Sequence, residues 1–214
     1  MSRPQLDRVD QFICQFDQAL RTVFGRPATT ERENPAKDVP EADMSEAERQ
    51  LAASLMRINH AGEVAAQALY QGQAITARDE KIRAKLERAA MEENDHLQWC
   101  DERVKELGSH TSYLNPLWYA GSLAIGAAAG IAGDKWSLGF LVETEKQVEA
   151  HLDGHLQQLP AQDARSRAVV AQMRTDEIQH AQTAQQAGAA PLPEPLKQLM
   201  KLTSKVMTAT ARRI

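Results

Sequence analysis

Polar side chains stand where helical periodicity reserves a place for the core, and their spacing repeats along the chain. Glu93 and His96 interrupt an apolar stripe of Ile82, Leu86, Ala89, Cys100 and Leu107. Glu177 and His180 interrupt a second stripe, formed by Val170, Met173, Ala184 and Ala187. Glu145 stands in a third, with Leu138, Leu141, Val148, Leu152 and Leu159. Glu63 lies at the edge of a fourth, running Leu51, Leu55, Ile58, Gly62, Ala65 and Leu69. Steps of three and four residues are the helical period. Glu63 and Glu93 are 30 residues apart, Glu145 and Glu177 are 32 apart, and the two halves are offset by 82 to 84. The unit is a helix with one Glu, a turn, and a helix with E-x-x-H, used twice. Two such hairpins joined by a long crossover at residues 109–133 predict an all-α four-helix bundle.

On a helix, residues i and i+3 share a face, so each E-x-x-H sets a carboxylate beside an imidazole. A carboxylate in an apolar core is costly unless it is paired, protonated or bound to a metal. With 17 Glu and 6 His in the chain, roughly half an E-x-x-H arises by chance, and a single match is usually a solvated face. Two matches on apolar stripes, each with a second Glu one helix away, form the donor set of ferritin-like dimetal carboxylate bundles. Mixed carboxylate and imidazole donors suit iron or manganese. Four carboxylates balance the charge of two divalent ions. Glu93 and Glu177 are the natural bridges; Glu63 with His96, and Glu145 with His180, complete the two ends. Ferritins, ribonucleotide reductase small subunits, manganese catalases and several oxygenases share such a site, so it does not by itself name a reaction. None of the three tyrosines, Tyr70, Tyr113 and Tyr119, is predicted on a ligand stripe.

The remaining segments add constraints. Residues 1–25 include an amphipathic helix with a stripe of Leu6, Val9, Ile13, Phe16, Leu20 and Val23, suited to packing on the bundle or lying on a membrane surface. Residues 26–44, rich in Pro and charge, read as a linker or an irregular wrap. Residues 45–214 then hold the bundle, opened by a capping box of Ser45 and Glu48. Gly62 in mid-helix predicts a close approach at that point. Residues 114–133 hold no charge over 20 positions, about the length of a membrane span. Pro116 and the Gly/Ala-rich second half argue for an apolar, membrane-touching crossover ahead of a buried helix or a true span. Gly126 and Gly130, four apart, permit close helix contact. Residues 196–214 form a final helix, and residues 191–214 carry five basic residues and one acidic. Such a helix docks on a membrane surface or a partner, or packs on the bundle with a solvated basic face. Net charge is −4, which does not favour nucleic acid as a partner. Two cysteines, Cys14 and Cys100, make no disulfide framework and suit a reducing compartment. The polar and acidic N-terminus is unlike a signal peptide.

Several runs resemble one family, the bacterial demethoxyubiquinol hydroxylases of ubiquinone biosynthesis. They are Asn59-His60-Ala61-Gly62-Glu63, Glu93-Asn94-Asp95-His96-Leu97, Asn115-Pro116-Leu117-Trp118, Glu145 with His151, and Asp176-Glu177-Ile178-Gln179-His180. The resemblance implies a di-iron monooxygenase with Glu63, Glu93, His96, Glu145, Glu177 and His180 as metal ligands. His151 matches a family histidine near the site; its role is open, with hydrogen bonding the first expectation. The implied reaction adds a hydroxyl to the ring of a polyprenyl methoxy-methyl-benzoquinol, using dioxygen and electrons from NADH or another reductant. It is the penultimate step to ubiquinone. The implied location is peripheral, on the cytoplasmic face of the bacterial inner membrane. Accessory proteins of the same pathway and a homo-oligomer are compatible partners. The rival readings are a ferritin-like iron- or peroxide-handling protein and a quinol oxidase of the alternative-oxidase type.

Overall fold

A computed structural model describes residues 8–30 and 32–214. Side chains at positions 8, 11 and 12 are not described, and Leu6 of the first stripe lies outside the described residues. All regular structure among them is helical: α1 Arg8–Phe24, α2 Glu46–Thr76, α3 Glu80–Glu106, α4 Asn115–Ile131, α5 Asp134–Gln158, α6 Ala164–Gln186 and α7 Glu194–Ala211.

The helix ends follow local chemistry. Ser45 caps α2: its hydroxyl accepts from the Glu48 N–H, and the Glu48 carboxylate accepts from the Ser45 N–H at 2.9 Å. Asp79 and Asp163 cap α3 and α6 with the side chain alone, accepting the Lys81 and Ser166 N–H. Gly108 follows α3 with φ +73°, a left-handed turn that costs glycine little. Pro116 starts α4 rather than breaking it, since the first turn needs no N–H donor there.

Helices α2 and α3 form one hairpin, and α5 and α6 the other. The hairpins meet along α3 with α6 and α2 with α5. Their core is layered. One apolar cluster holds Leu55, Met56, Trp99, Cys100, Leu152 and Met173. The other holds Tyr70, Leu86, Leu138, Leu141 and Ala184. The acidic residues of the repeat lie between them.

The buried face of α2 differs from the predicted stripe. Ala52, Met56, Glu63, Gln67, Tyr70 and Ala74 are buried, whereas Leu51, Gly62 and Leu69 are only partly so. Glu63 therefore sits at the centre of the inner face, not on its edge. The cause is that α2 is covered from several sides, by α3, α4, α5 and α7. Its outer apolar residues serve α4, and they masked the polar inner face. Gly62 has open space where a Cβ would stand. The close approach is instead at Gly72, Gly126 and Gly130. A Cβ on Gly72 would lie 2.3 Å from the Leu123 carbonyl oxygen, and one on Gly126 2.3 Å from that of Leu69.

Helix α4 packs one side on α2 and leaves Leu117, Ile125 and Ile131 exposed. It is thus not wholly buried, and no helix among the described residues is long and apolar enough to cross a membrane. Helix α1 turns Ala19 and Val23 toward the cluster that holds Val64 and Tyr119, and leaves Ile13, Leu20 and Phe24 exposed. Helix α7 rests on α2 and α5, with Ala211 against Ile58, Ala61 and Trp118, and exposes Leu199, Leu202 and Val206.

Residues 26–30 and 32–44 form no helix or strand. They lie against α3 and α6 as a strap. Ala36 and Met44 enter the core. Glu41 pairs with Arg103, which is 1% exposed and also meets Asp163 at 2.9 Å and Glu106 at 2.9 Å.

Candidate metal centre

Four helices each bring one glutamate to the middle of the bundle. Glu63 of α2, Glu93 of α3, Glu145 of α5 and Glu177 of α6 are all at most 3% exposed. Each E-x-x-H adds its histidine on the same face one turn later. The six side chains form two overlapping groups, Glu63–Glu93–His96–Glu177 and Glu93–Glu145–Glu177–His180. Within each group the candidate ligand atoms lie within 4.8 Å of one another. Glu93 and Glu177 belong to both, as bridges must.

The two histidines are oriented alike. His96 Nδ1 faces inward, 2.9 Å from Glu93 Oε2 and 3.3 Å from Glu177 Oε1. Its Nε2 faces outward to Asp176 Oδ2 at 2.9 Å. His180 Nδ1 faces inward, 3.2 Å from Glu93 Oε1 and 3.3 Å from Glu177 Oε2. Its Nε2 meets Glu92 Oε2 at 2.8 Å. Each outer acid immediately precedes the E-x-x-H of the opposite hairpin. A carboxylate on the outer nitrogen takes its N–H and leaves the inner nitrogen free as a donor to a metal.

The fourfold carboxylate cluster holds too much negative charge for a dry interior. Burial, and then the Glu93 carboxylate, push the Glu63 pKa well above the usual range. Burial, and then Glu177 and Glu93, do the same to Glu145. Burial alone would raise Glu93 as well, but His96 and His180 together hold it well below the usual range. Burial would lower the His96 pKa; Glu93 and the surrounding acids outweigh it and raise it far above normal. His180 is raised for the same reasons. Glu93 Oε1 and Glu177 Oε1 are buried without an aligned hydrogen bond, each with only a histidine nitrogen beside it, at 3.2 and 3.3 Å. Two divalent cations fit this donor set: they would neutralise the four carboxylates and take the orphaned oxygens, with two imidazoles completing the ends.

Tyr70 lies off the predicted ligand stripes yet reaches the site. Its hydroxyl donates to Glu145 Oε1 at 2.6 Å inside the core. The signal was available, since Tyr70 lies two helical turns beyond Glu63 on α2. Tyr70→Phe leaves Glu145 without this donor. We expect two-metal affinity or turnover to fall about 10–100-fold with the helical content unchanged. Metal titration and circular dichroism on the same sample check it.

His151 lies in neither group. It is six residues beyond Glu145 on α5, about 9 Å along the axis, with its ring 4.0 Å from that of His155. His155 in turn meets Asn59 Oδ1 at 2.7 Å. Burial lowers the pKa of His151, and takes that of His155 to about 3. Burial thus favours the neutral form of both rings. A cleft of about 420 Å³ opens on the other end, lined by Tyr70, Arg88, Glu92, Leu138 and His180. Most of its lining comes from α3 and α6, with Tyr70 of α2 and Leu138 and Leu141 of α5.

Comparison with known proteins covers nearly the whole chain. Residues 50–211 match the family model described as ubiquinone biosynthesis protein COQ7. A Nitrosococcus oceani protein named 3-demethoxyubiquinol 3-hydroxylase is 59% identical over 211 residues, covering 99% of each chain. A Chromobacterium violaceum protein of the same name is 58% identical over 206 residues, 96% of this chain and 100% of its own. One from Nitrosomonas eutropha is 59% identical over 203 residues, 95% of this chain and 97% of its own.

Proposed function

Because the chain belongs to the COQ7 family of ubiquinone biosynthesis proteins, we infer that it is a 3-demethoxyubiquinol 3-hydroxylase. It is an oxidoreductase that adds a hydroxyl to the quinol ring. The observation that carries the chemistry is the pair of overlapping carboxylate–histidine groups buried at mid-bundle.

In this reading Glu63, Glu93, His96, Glu145, Glu177 and His180 hold two iron ions. When bound, the irons supply the activation of dioxygen, with electrons from NADH or another reductant. The chain supplies placement and a shielded cavity. Glu93 and Glu177 span the two positions. Asp176 and Glu92 engage the outer nitrogens of His96 and His180 and so aim the inner nitrogens at the centre. Tyr70 holds one oxygen of Glu145. The apolar cluster of Leu55, Met56, Leu152 and Met173 closes one side of the centre to bulk water.

The substrate pairs a polar ring with a prenyl tail that belongs in a bilayer. The exposed apolar residues of α4, with the basic amphipathic α7 beside its start, support a peripheral seat on the inner face of a bacterial membrane. Leu117→Glu with Ile125→Glu places charge on that face and touches no site residue. We expect flotation with anionic vesicles to drop at least about tenfold, as the loss of two buried apolar contacts and two added negative charges requires, with metal content unchanged. Full flotation of the double variant would remove α4 from the membrane contact.

The function is tested with purified protein loaded with ferrous iron without oxygen, then given a short-tailed demethoxyquinol, NADH and labelled dioxygen. The expected product is a quinone with one labelled ring hydroxyl. Oxygen consumed with the ring unchanged would favour an oxidase or an iron-handling protein instead.

A further inference from the structure

We propose that Arg32, from the strap, is a positioning residue for the metal centre: its bond to Asp176 sets how strongly His96 is held by its outer hydrogen bond. The proposal rests on the reading of His96 as a metal ligand. Arg32 Nη1 donates to Asp176 Oδ2 at 2.7 Å. That same oxygen takes the His96 Nε2 contact at 2.9 Å, so the guanidinium and the imidazole share one acceptor. The other Asp176 oxygen is occupied by the Gln172 amide at 2.9 Å.

The guanidinium is fixed on its remaining sides. Arg32 Nε donates to Asp95 Oδ2 at 2.7 Å, and Asp95 Oδ1 accepts the Thr30 N–H at 2.7 Å. Arg32 Nη2 reaches the backbone carbonyl of Glu92 at 3.4 Å, the residue whose side chain braces His180. The guanidinium carbon stands 5.1 Å over the Trp99 ring, and that ring packs 5.4 Å from the His96 ring. One strap residue thus touches the outer partner of one histidine and the backbone of the other's. A planar fork with two carboxylates in different directions is a geometry that Arg supplies and Lys does not.

The sign follows from acceptor strength. Asp176 divides its charge between Arg32 and His96. Without the guanidinium the carboxylate draws harder on the His96 N–H, and the ring becomes a more electron-rich ligand. Loss of a nearby positive charge acts the same way. Both effects favour the oxidised metal.

The test is the midpoint potential and metal content of the iron-loaded full chain, wild type against Arg32→Gln, Arg32→Lys and Thr30→Ala. Arg32→Gln is expected to bind two irons and to shift the ferric-to-ferrous ratio at fixed potential about tenfold toward ferric, ~59 mV for one electron. Arg32→Lys, which keeps the charge, is expected to shift in the same direction by less. Thr30→Ala removes the hydroxyl that donates to Asp95 Oδ2 and accepts the Arg32 N–H at 3.3 Å; it loosens the strap without touching Asp176 and is expected to keep the wild-type potential. An unchanged potential in Arg32→Gln with two irons bound overturns the proposal alone. So does a Thr30→Ala shift as large as that of Arg32→Gln, because strap packing would then be the cause. Should Arg32→Gln not fold, Arg32→Lys carries the test, and an unchanged potential there is decisive against it. A wild-type chain that binds fewer than two irons overturns the metal reading itself.

Discussion

Glu177→Ala is expected to end two-metal binding and turnover together. Glu177 is the α6 carboxylate shared by both ligand groups. Its removal takes one donor from each metal position and one negative charge from a site that balances two divalent cations. It also opens a void between the two apolar clusters, and leaves the raised His96 and His180 with one acid fewer. Turnover should fall below about one part in a thousand, the equivalent of roughly 4 kcal/mol at the transition state. The measurement is iron stoichiometry by chelator assay beside product formation. A variant that keeps two irons and wild-type turnover would show that Glu177 does not bridge.

Gly126→Val should damage the fold and spare the site's chemistry. The α2–α4 interface has no room for a side chain there: a Cβ would meet the Leu69 carbonyl oxygen at 2.3 Å, its carbon at 2.9 Å and its Cα at 2.9 Å. These are backbone atoms of a helix and cannot swing aside. Helix α4 must therefore lift from α2. Overpacking of this kind costs about 1–3 kcal/mol or more, and for a chain of this size about 3 kcal/mol lowers Tm by roughly 6–12 °C. Thermal melts of the metal-free proteins give the comparison. Gly62→Ala is the internal control. That glycine faces open space, and the exchange should raise stability by up to about 1 kcal/mol.

The two glycines show where the sequence was legible and where it was not. A helix interior with Gly says that the residue is unusual, but not which neighbour is near. Gly62 sits in the run of site residues and drew the inference of close approach. The contact was at Gly72 and Gly126, 54 residues apart in the chain, and only the packing of α4 on α2 reveals it. The E-x-x-H pairs and Glu145 were legible because each interrupts an apolar stripe at the helical period. Glu63 was harder, because α2 is covered on several sides and its inner face carries Asn59 and Gln67 as well. Tyr70 needed a count of seven from Glu63. Asp176 and Glu92 carried a sequence sign, an acidic residue before each E-x-x-H, whose meaning depends on the opposite hairpin. Arg32 carried none: it lies 144 residues from Asp176, inside a segment whose composition says only that it is irregular.

The crossed bracing of the histidines ties metal geometry to helix alignment. Helix α3 carries His96 and the Glu92 that steadies His180; α6 carries His180 and the Asp176 that steadies His96. A slide of one helix past the other by a single residue, about 1.5 Å, would stretch both bonds at once and in opposite senses along the axis. Neither metal position can be retuned without disturbing its twin. The repeat thus acts as a mechanical interlock: the two halves of the centre share one adjustment, and a change that loosens either hairpin is felt at both ligand groups.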